Sequence, residues 1–191
     1  MNGNLAYKLE PMEEIIGGEV IMMAPASINH NRISKNISRI FDNHFQGKQC
    51  EYFLEAGLYL AEDEDEYIPD GMVVCDPDKV RDNGIFGTPD LVVEILSRGT
   101  ARYDKGRKKD IYERFGVREY WIVDPLSMSV EQYALENGKF ILRDIYHKYP
   151  PAVLSNMKEK ERAAVVTEFQ CVIFESLTVR LDDVFGRVII N

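Results

Sequence analysis

PDLVVEILSRGTARYDKGRKKDIYERFGVREYWIVDP, residues 89–125 of a 191-residue chain, decides the fold. Residues 89–96 read as a strand. Leu91 to Ile95 are apolar or β-branched except for Glu94, which is how a strand covered on both faces reads. Residues 101–115 read as a helix whose buried side carries Ile111, Tyr112 and Phe115, with Gly116 at its C′ position. Residues 119–124, EYWIVD, form another buried strand, with Tyr120 and Trp121 as core.

Working outward, residues 27–46 predict a helix. Ser27 suits its N-cap, Ile33, Ile37, Ile40, Phe41 and Phe45 form one apolar face, and Gly47 ends it. Strands are expected over 51–60 and 67–75, on either side of the acidic block Glu62–Glu66, with a turn-rich connection from Asp76 to Thr88. GGEVIMM (17–23) reads as a glycine turn and a short strand. Beyond Pro125, VEQYAL and KFILRDIY predict a hairpin through Asn137-Gly138. Residues 147–168 read as helix or loop, and a strand with a short helical turn follows. The order implies an α/β (α+β) sandwich, a mixed β-sheet flanked by helices with a β-rich C-terminal part. The length suits a single domain over 1–191.

Composition narrows the class. Hydrophobic residues at 45% and charged residues at 29% fit a globular chain rather than a disordered or fibrous one. No apolar run approaches the roughly 18 residues a membrane span needs, and the N-terminal residues lack the apolar core of a signal peptide. Cys50, Cys75 and Cys171 are odd in number and widely spaced without a CxxC pair, so neither a disulfide framework nor a zinc site is expected, and a cytoplasmic location follows. The net charge of −9 argues against a nucleic-acid binder taken alone. Against that stands a basic block, Arg98, Arg102, Lys105, Arg107, Lys108 and Lys109, suited to phosphate.

Two strands carry a charge where burial makes an unpaired carboxylate costly. Asp70 follows Pro69 near the start of one, and Glu94 sits mid-strand in the next. Neighbouring strands lie about 4.8 Å apart, so the two carboxylates would repel. A divalent cation removes the conflict, because Mg²⁺ takes one or two carboxylates and fills its other positions with water and phosphate oxygens. Asp90 shares Glu94's face but lies roughly 13 Å along the strand, which gives it a supporting role. Asp104, Lys108 and Tyr112 share one helix face, and Lys108 there would hold a phosphate or orient water. His30, Glu19 and Glu55 are further candidates from the flanking elements.

The order Pro69-Asp70, Glu94, then a lysine resembles the PD-(D/E)XK nuclease superfamily, the restriction-endonuclease-like fold. Segments 17–30, 68–76, 89–100, 104–125 and 177–185 are similar to its Uma-type branch (domain of unknown function 820). The resemblance implies Asp70 and Glu94 as metal ligands, aided by the Ile95 carbonyl, with Mg²⁺ or Mn²⁺ as cofactor. The usual lysine position, two residues after the glutamate, holds Leu96. The branch supplies its lysine from the next helix, which points to Lys108, with Lys105 and Lys109 as alternatives. The implied activity is metal-dependent DNA cleavage, with a homodimer plausible for cutting two strands. The departure at Leu96 leaves a second expectation: an inactive nuclease fold that binds nucleic acid or protein.

Overall fold

The computed structural model describes residues 13–16, 19–22, 25–60, 65–97 and 99–190. Arg98, part of the acidic block and the ends of the 17–23 segment lie outside the described residues. The first element is a two-stranded hairpin, β1 (Glu13–Ile16) and β2 (Glu19–Met22), with Glu14 opposite Ile21. Helix α1 (Ile28–Phe45) follows. As expected, Ser27 caps it: the Ser27 hydroxyl accepts the His30 N–H at 3.2 Å. Gly47 ends the turn beyond it at φ +73°.

The expected strand over 51–60 is two strands, β3 (Glu51–Leu54) and β4 (Leu58–Tyr59), which join different sheets. The break falls at Glu55, whose φ of +46° no regular strand accommodates. The strand expected over 67–75 is β5 (Gly71–Val74). The connection read as turns holds β6 (Val80–Arg81) and β7 (Gly84–Phe86), too short to show an alternation. With β4 they form a small three-stranded sheet.

The decisive stretch gives β8 (Leu91–Ile95), then α2 (Ala101–Tyr103), a π-helical turn over Asp104–Lys108, α3 (Lys109–Arg114) and β9 (Glu119–Asp124). The helical segments carry the chain across so that β8 and β9 pair in parallel. The Asn137-Gly138 turn, both residues at positive φ, joins β10 (Ser129–Glu136) to β11 (Lys139–His147). Helices α4 (Pro151–Asn156) and α5 (Glu159–Ala163) precede β12 (Glu168–Gln170), β13 (Thr178–Arg180) and α6 (Leu181–Val184). The principal sheet is mixed, in the order β11-β10-β9-β8-β5-β3.

Each face of that sheet is covered. Leu91, Val93 and Ile95 of β8 pack with Ile33, Ile37 and Phe41 of α1 and with Phe169, Val179 and Phe185 from the C-terminal part. Val92, in the other set, packs with Ile111 and Tyr112 of α3 and with Tyr120 and Ile122 of β9. Strand alternation therefore turns Glu94 toward the face that carries α3. No described helix is long and apolar enough to cross a membrane.

One expectation is overturned. Cys50 and Cys75 form a disulfide. Strands β3 and β5 pair with Glu51 opposite Val74, so the next pair outward is Cys50 and Cys75, with Cα atoms 3.9 Å apart. Strand register makes this pair, and a separation of 25 residues gives no hint of it. Cys171 remains a buried free thiol.

Candidate active site

Glu94 is the hub. Although it sits mid-strand in β8, it is 2% exposed. Its Oε1 accepts hydrogen bonds from the Lys108 Nζ at 3.1 Å and the Tyr112 hydroxyl at 2.9 Å. Lys108 also pairs with Asp104 of its own helix, at 3.7 Å. Asp104, Lys108 and Tyr112 thus share one face, as their spacing predicts, although a π-helical turn lies between them. Such turns widen a helix locally and occur often at functional sites.

Burial dominates the protonation of these groups. It pushes Glu94 well above the usual carboxylate range, with Lys108 opposing and Asp104, Asp70 and Glu14 adding to the rise. Burial likewise lifts Asp104 to about 6, and the Lys108 ammonium and the nearby Thr100 side chain offset it only in part. For Lys108 burial acts downward, but the carboxylates of Glu94, Glu14 and Asp104 outweigh it and hold the ammonium charged.

Asp70 precedes Gly71, which pairs with Val93, so it stands across from Glu94. Its Oδ2 accepts the Ile95 N–H at 2.6 Å, and its Oδ1 lies 3.0 Å from the His30 Nε2 on α1. The Ile95 contact to Asp70 therefore runs through its N–H, and its carbonyl faces the His30 ring. Burial lowers the pKa of His30, but Asp70, with help from Glu55 and the Ile95 carbonyl, raises it further, so the net shift is upward. Glu55 is exposed at the rim.

Other candidates sit elsewhere. Asp90 accepts the Cys75 N–H at 2.9 Å and pairs with Arg118 at 3.3 Å, pinning the entry of β8 far from Glu94. Glu19 is 69% exposed and pairs with Arg107 at 3.3 Å, so it does not reach the cluster. The residue that does is Glu14, which sequence reading missed: its Oε1 lies 2.8 Å from the Lys108 Nζ. In the run Glu13-Glu14 one acid is exposed and the next buried, and only the docking of the hairpin decides which.

The basic block is mostly engaged. Lys105 pairs with Glu131, and the Lys109 Nζ lies 3.9 Å over the Tyr133 ring. Arg102 is exposed, with no ion pair among the described residues.

The donor set suits a hard divalent cation. Four buried carboxylates, Glu14, Asp70, Glu94 and Asp104, face one lysine and one histidine. Both oxygens of Asp104 are buried without a hydrogen-bond partner among the described residues. No three potential ligands close around one point among the described residues, and Mg²⁺ needs only one or two carboxylates with water for the rest.

A family model described as "Uma2: Putative restriction endonuclease" matches residues 6–158. The chain belongs to the Uma2 family. Two Synechocystis proteins are similar. The protein sll1609 is 36% identical over 124 residues, 63% of this chain and 70% of its own length. The protein slr1290 is 31% identical over 122 residues, 63% of this chain and 64% of its own length, so the match spans a little under two thirds of it. The crystal structure of a putative nuclease belonging to DUF820 from Anabaena variabilis superposes with a TM-score of 0.69 at 17% identity, over 94% of this chain and 92% of that one. That identity speaks for the fold alone. The Uma-type membership and the mixed α+β fold expected from the sequence both hold.

Proposed function

We propose that this Uma2 chain is a metal-dependent endodeoxyribonuclease that hydrolyses phosphodiester bonds. One observation carries the reading: Glu94, buried mid-strand across from Asp70, is held by Lys108 and Tyr112 in a cluster with more acid than base. Mg²⁺ or Mn²⁺ held by Asp70 and Glu94 would polarise the phosphoryl oxygen and make water a better nucleophile. Tyr112 and Lys108 both anchor Oε1 of Glu94 and so fix its carboxylate plane. His30 does the same for Asp70 through Oδ1. Lys108 supplies a compact positive charge for the phosphate as negative charge builds on it. Arg102, with Lys105, Arg107 and Lys109 at the same helix, would draw the DNA backbone toward the site despite the net acidity of the chain. A homodimer would bring two sites to two strands. The proposed location is the cytoplasm; a disulfide is unusual there, so the redox state of Cys50 and Cys75 in cells bears directly on it.

A second reading, a nuclease fold without turnover that binds nucleic acid or protein, draws on the closure of Lys108. Its side chain is 3% exposed and already meets three carboxylates. Supercoiled-plasmid cleavage separates the two. With Mg²⁺ or Mn²⁺ the wild type should nick and linearise DNA, and Asp70→Asn, Glu94→Gln and Lys108→Ala should each lose that activity. A wild type that cuts no better than these variants leaves the binding reading.

A further inference from the structure

We infer that Glu14 is a positioning residue that ties the Lys108 helix to the segment carrying Asp70, so that the β1–β2 hairpin is part of the active site. The inference rests on the nuclease reading for its catalytic consequence. A single oxygen makes the tie. Glu14 Oε1 accepts the Ile68 N–H at 2.8 Å and lies 2.8 Å from the Lys108 Nζ. Ile68 stands two residues before Asp70. Lys108 is closer to Glu14 than to Glu94 at 3.1 Å or Asp104 at 3.7 Å. Fixing both groups on one atom fixes the spacing between the Asp70 segment and the ammonium.

The hairpin that delivers Glu14 lies outside the principal sheet. Two backbone hydrogen bonds between Ile15 and Glu66, at 2.9 and 3.1 Å, dock it beside the strand entry. Charge balance alone does not explain Glu14. Glu94 and Asp104 already supply Lys108 with two counter-charges, and a further buried carboxylate in an acid-rich cluster costs stability. What Glu14 adds is the link to Ile68, which neither of the others makes.

The test is a double-mutant cycle of Glu14→Gln and Lys108→Met in the full chain, read two ways. In urea denaturation, Glu14→Gln should be better tolerated once Lys108 is Met, because an uncompensated buried carboxylate is worse than an amide. Equal midpoint shifts in the two backgrounds overturn the inference. In plasmid cleavage with Mn²⁺, Glu14→Gln in the wild-type background should lower kcat by about 10- to 100-fold with KM nearly unchanged. An unchanged kcat, or a loss that appears only in KM, also overturns it. A wild type that does not cut refutes the nuclease reading instead, and the urea cycle then decides the role of Glu14 by itself.

Discussion

Asp104→Asn removes a carboxylate that is 1% exposed and has no hydrogen-bond partner among the described residues. An unfolded aspartate releases its proton near pH 3.8, and folded Asp104 holds it to about 6. Between those values the folded chain binds more protons than the unfolded one. The contribution of this residue to stability therefore falls as pH rises, and the loss is complete above pH 6. At about 1.4 kcal/mol per pH unit, the cost of ionising it in place reaches about 3 kcal/mol. Asparagine has nearly the same shape and does not titrate. Urea denaturation followed from pH 4 to 8 should show the wild type losing stability more steeply than Asp104→Asn between pH 4 and 6. By pH 8 the variant should have gained about 2–3 kcal/mol relative to its difference from wild type at pH 4. Parallel pH profiles would refute the claim that burial, offset only in part by Lys108, holds the proton on Asp104.

Lys108→Met strands three buried carboxylates and should destabilise the fold by about 3–5 kcal/mol, measured by urea denaturation at pH 8; a loss below about 1 kcal/mol would mark the pairing as incidental. Reducing the Cys50–Cys75 bond, which closes a loop across a separation of 25 residues, should cost about 3.5 kcal/mol on chain entropy; unchanged urea midpoints with and without dithiothreitol would count against it. Glu119 of β9 is fully buried and accepts from the Trp121 Nε1, Gln132 Nε2, Cys171 Sγ and Ile173 N–H. Glu119→Ala leaves the Trp121, Cys171 and Ile173 donors unpaired, while the Gln132 Nε2 keeps the Gln170 carbonyl at 2.9 Å, and should cost about 3 kcal/mol, with Glu119→Gln, which keeps an acceptor, costing less; thermal melts of the two variants give the order.

The elements with long, uninterrupted patterns were legible in the sequence. The stripe of α1, the solid apolar run of β8 and the Asn137-Gly138 turn each announce themselves through periodicity or turn chemistry, and each is where it was expected. Strands of two or three residues, β4, β6 and β7, carry too few positions for an alternation to show. Glu94 was readable as a lone acid on a buried strand, and the shared face of Asp104, Lys108 and Tyr112 was readable from helix spacing. That Lys108 rather than Lys105 or Lys109 enters the site was indicated mainly by the family resemblance, and its direct contact with Glu94 is set by the packing of the helix on β8. Glu14 was not readable, because it arrives from a hairpin whose docking depends on a remote bridge to Glu66. The disulfide was hidden for the same reason: the register of β3 against β5, set by tertiary pairing, opposes two cysteines that their spacing does not connect.

In the proposed mechanism Asp70 and Glu94 act together on a divalent cation. Mn²⁺ titration followed by electron paramagnetic resonance, on the full chain at pH 8, measures this without requiring turnover. Wild-type protein should take up Mn²⁺ in a way that Asp70→Asn and Glu94→Gln each abolish, whereas Asp90→Asn, at the far end of β8, should bind as the wild type does. Uptake that survives both site substitutions, or that Asp90→Asn removes equally, would contradict it.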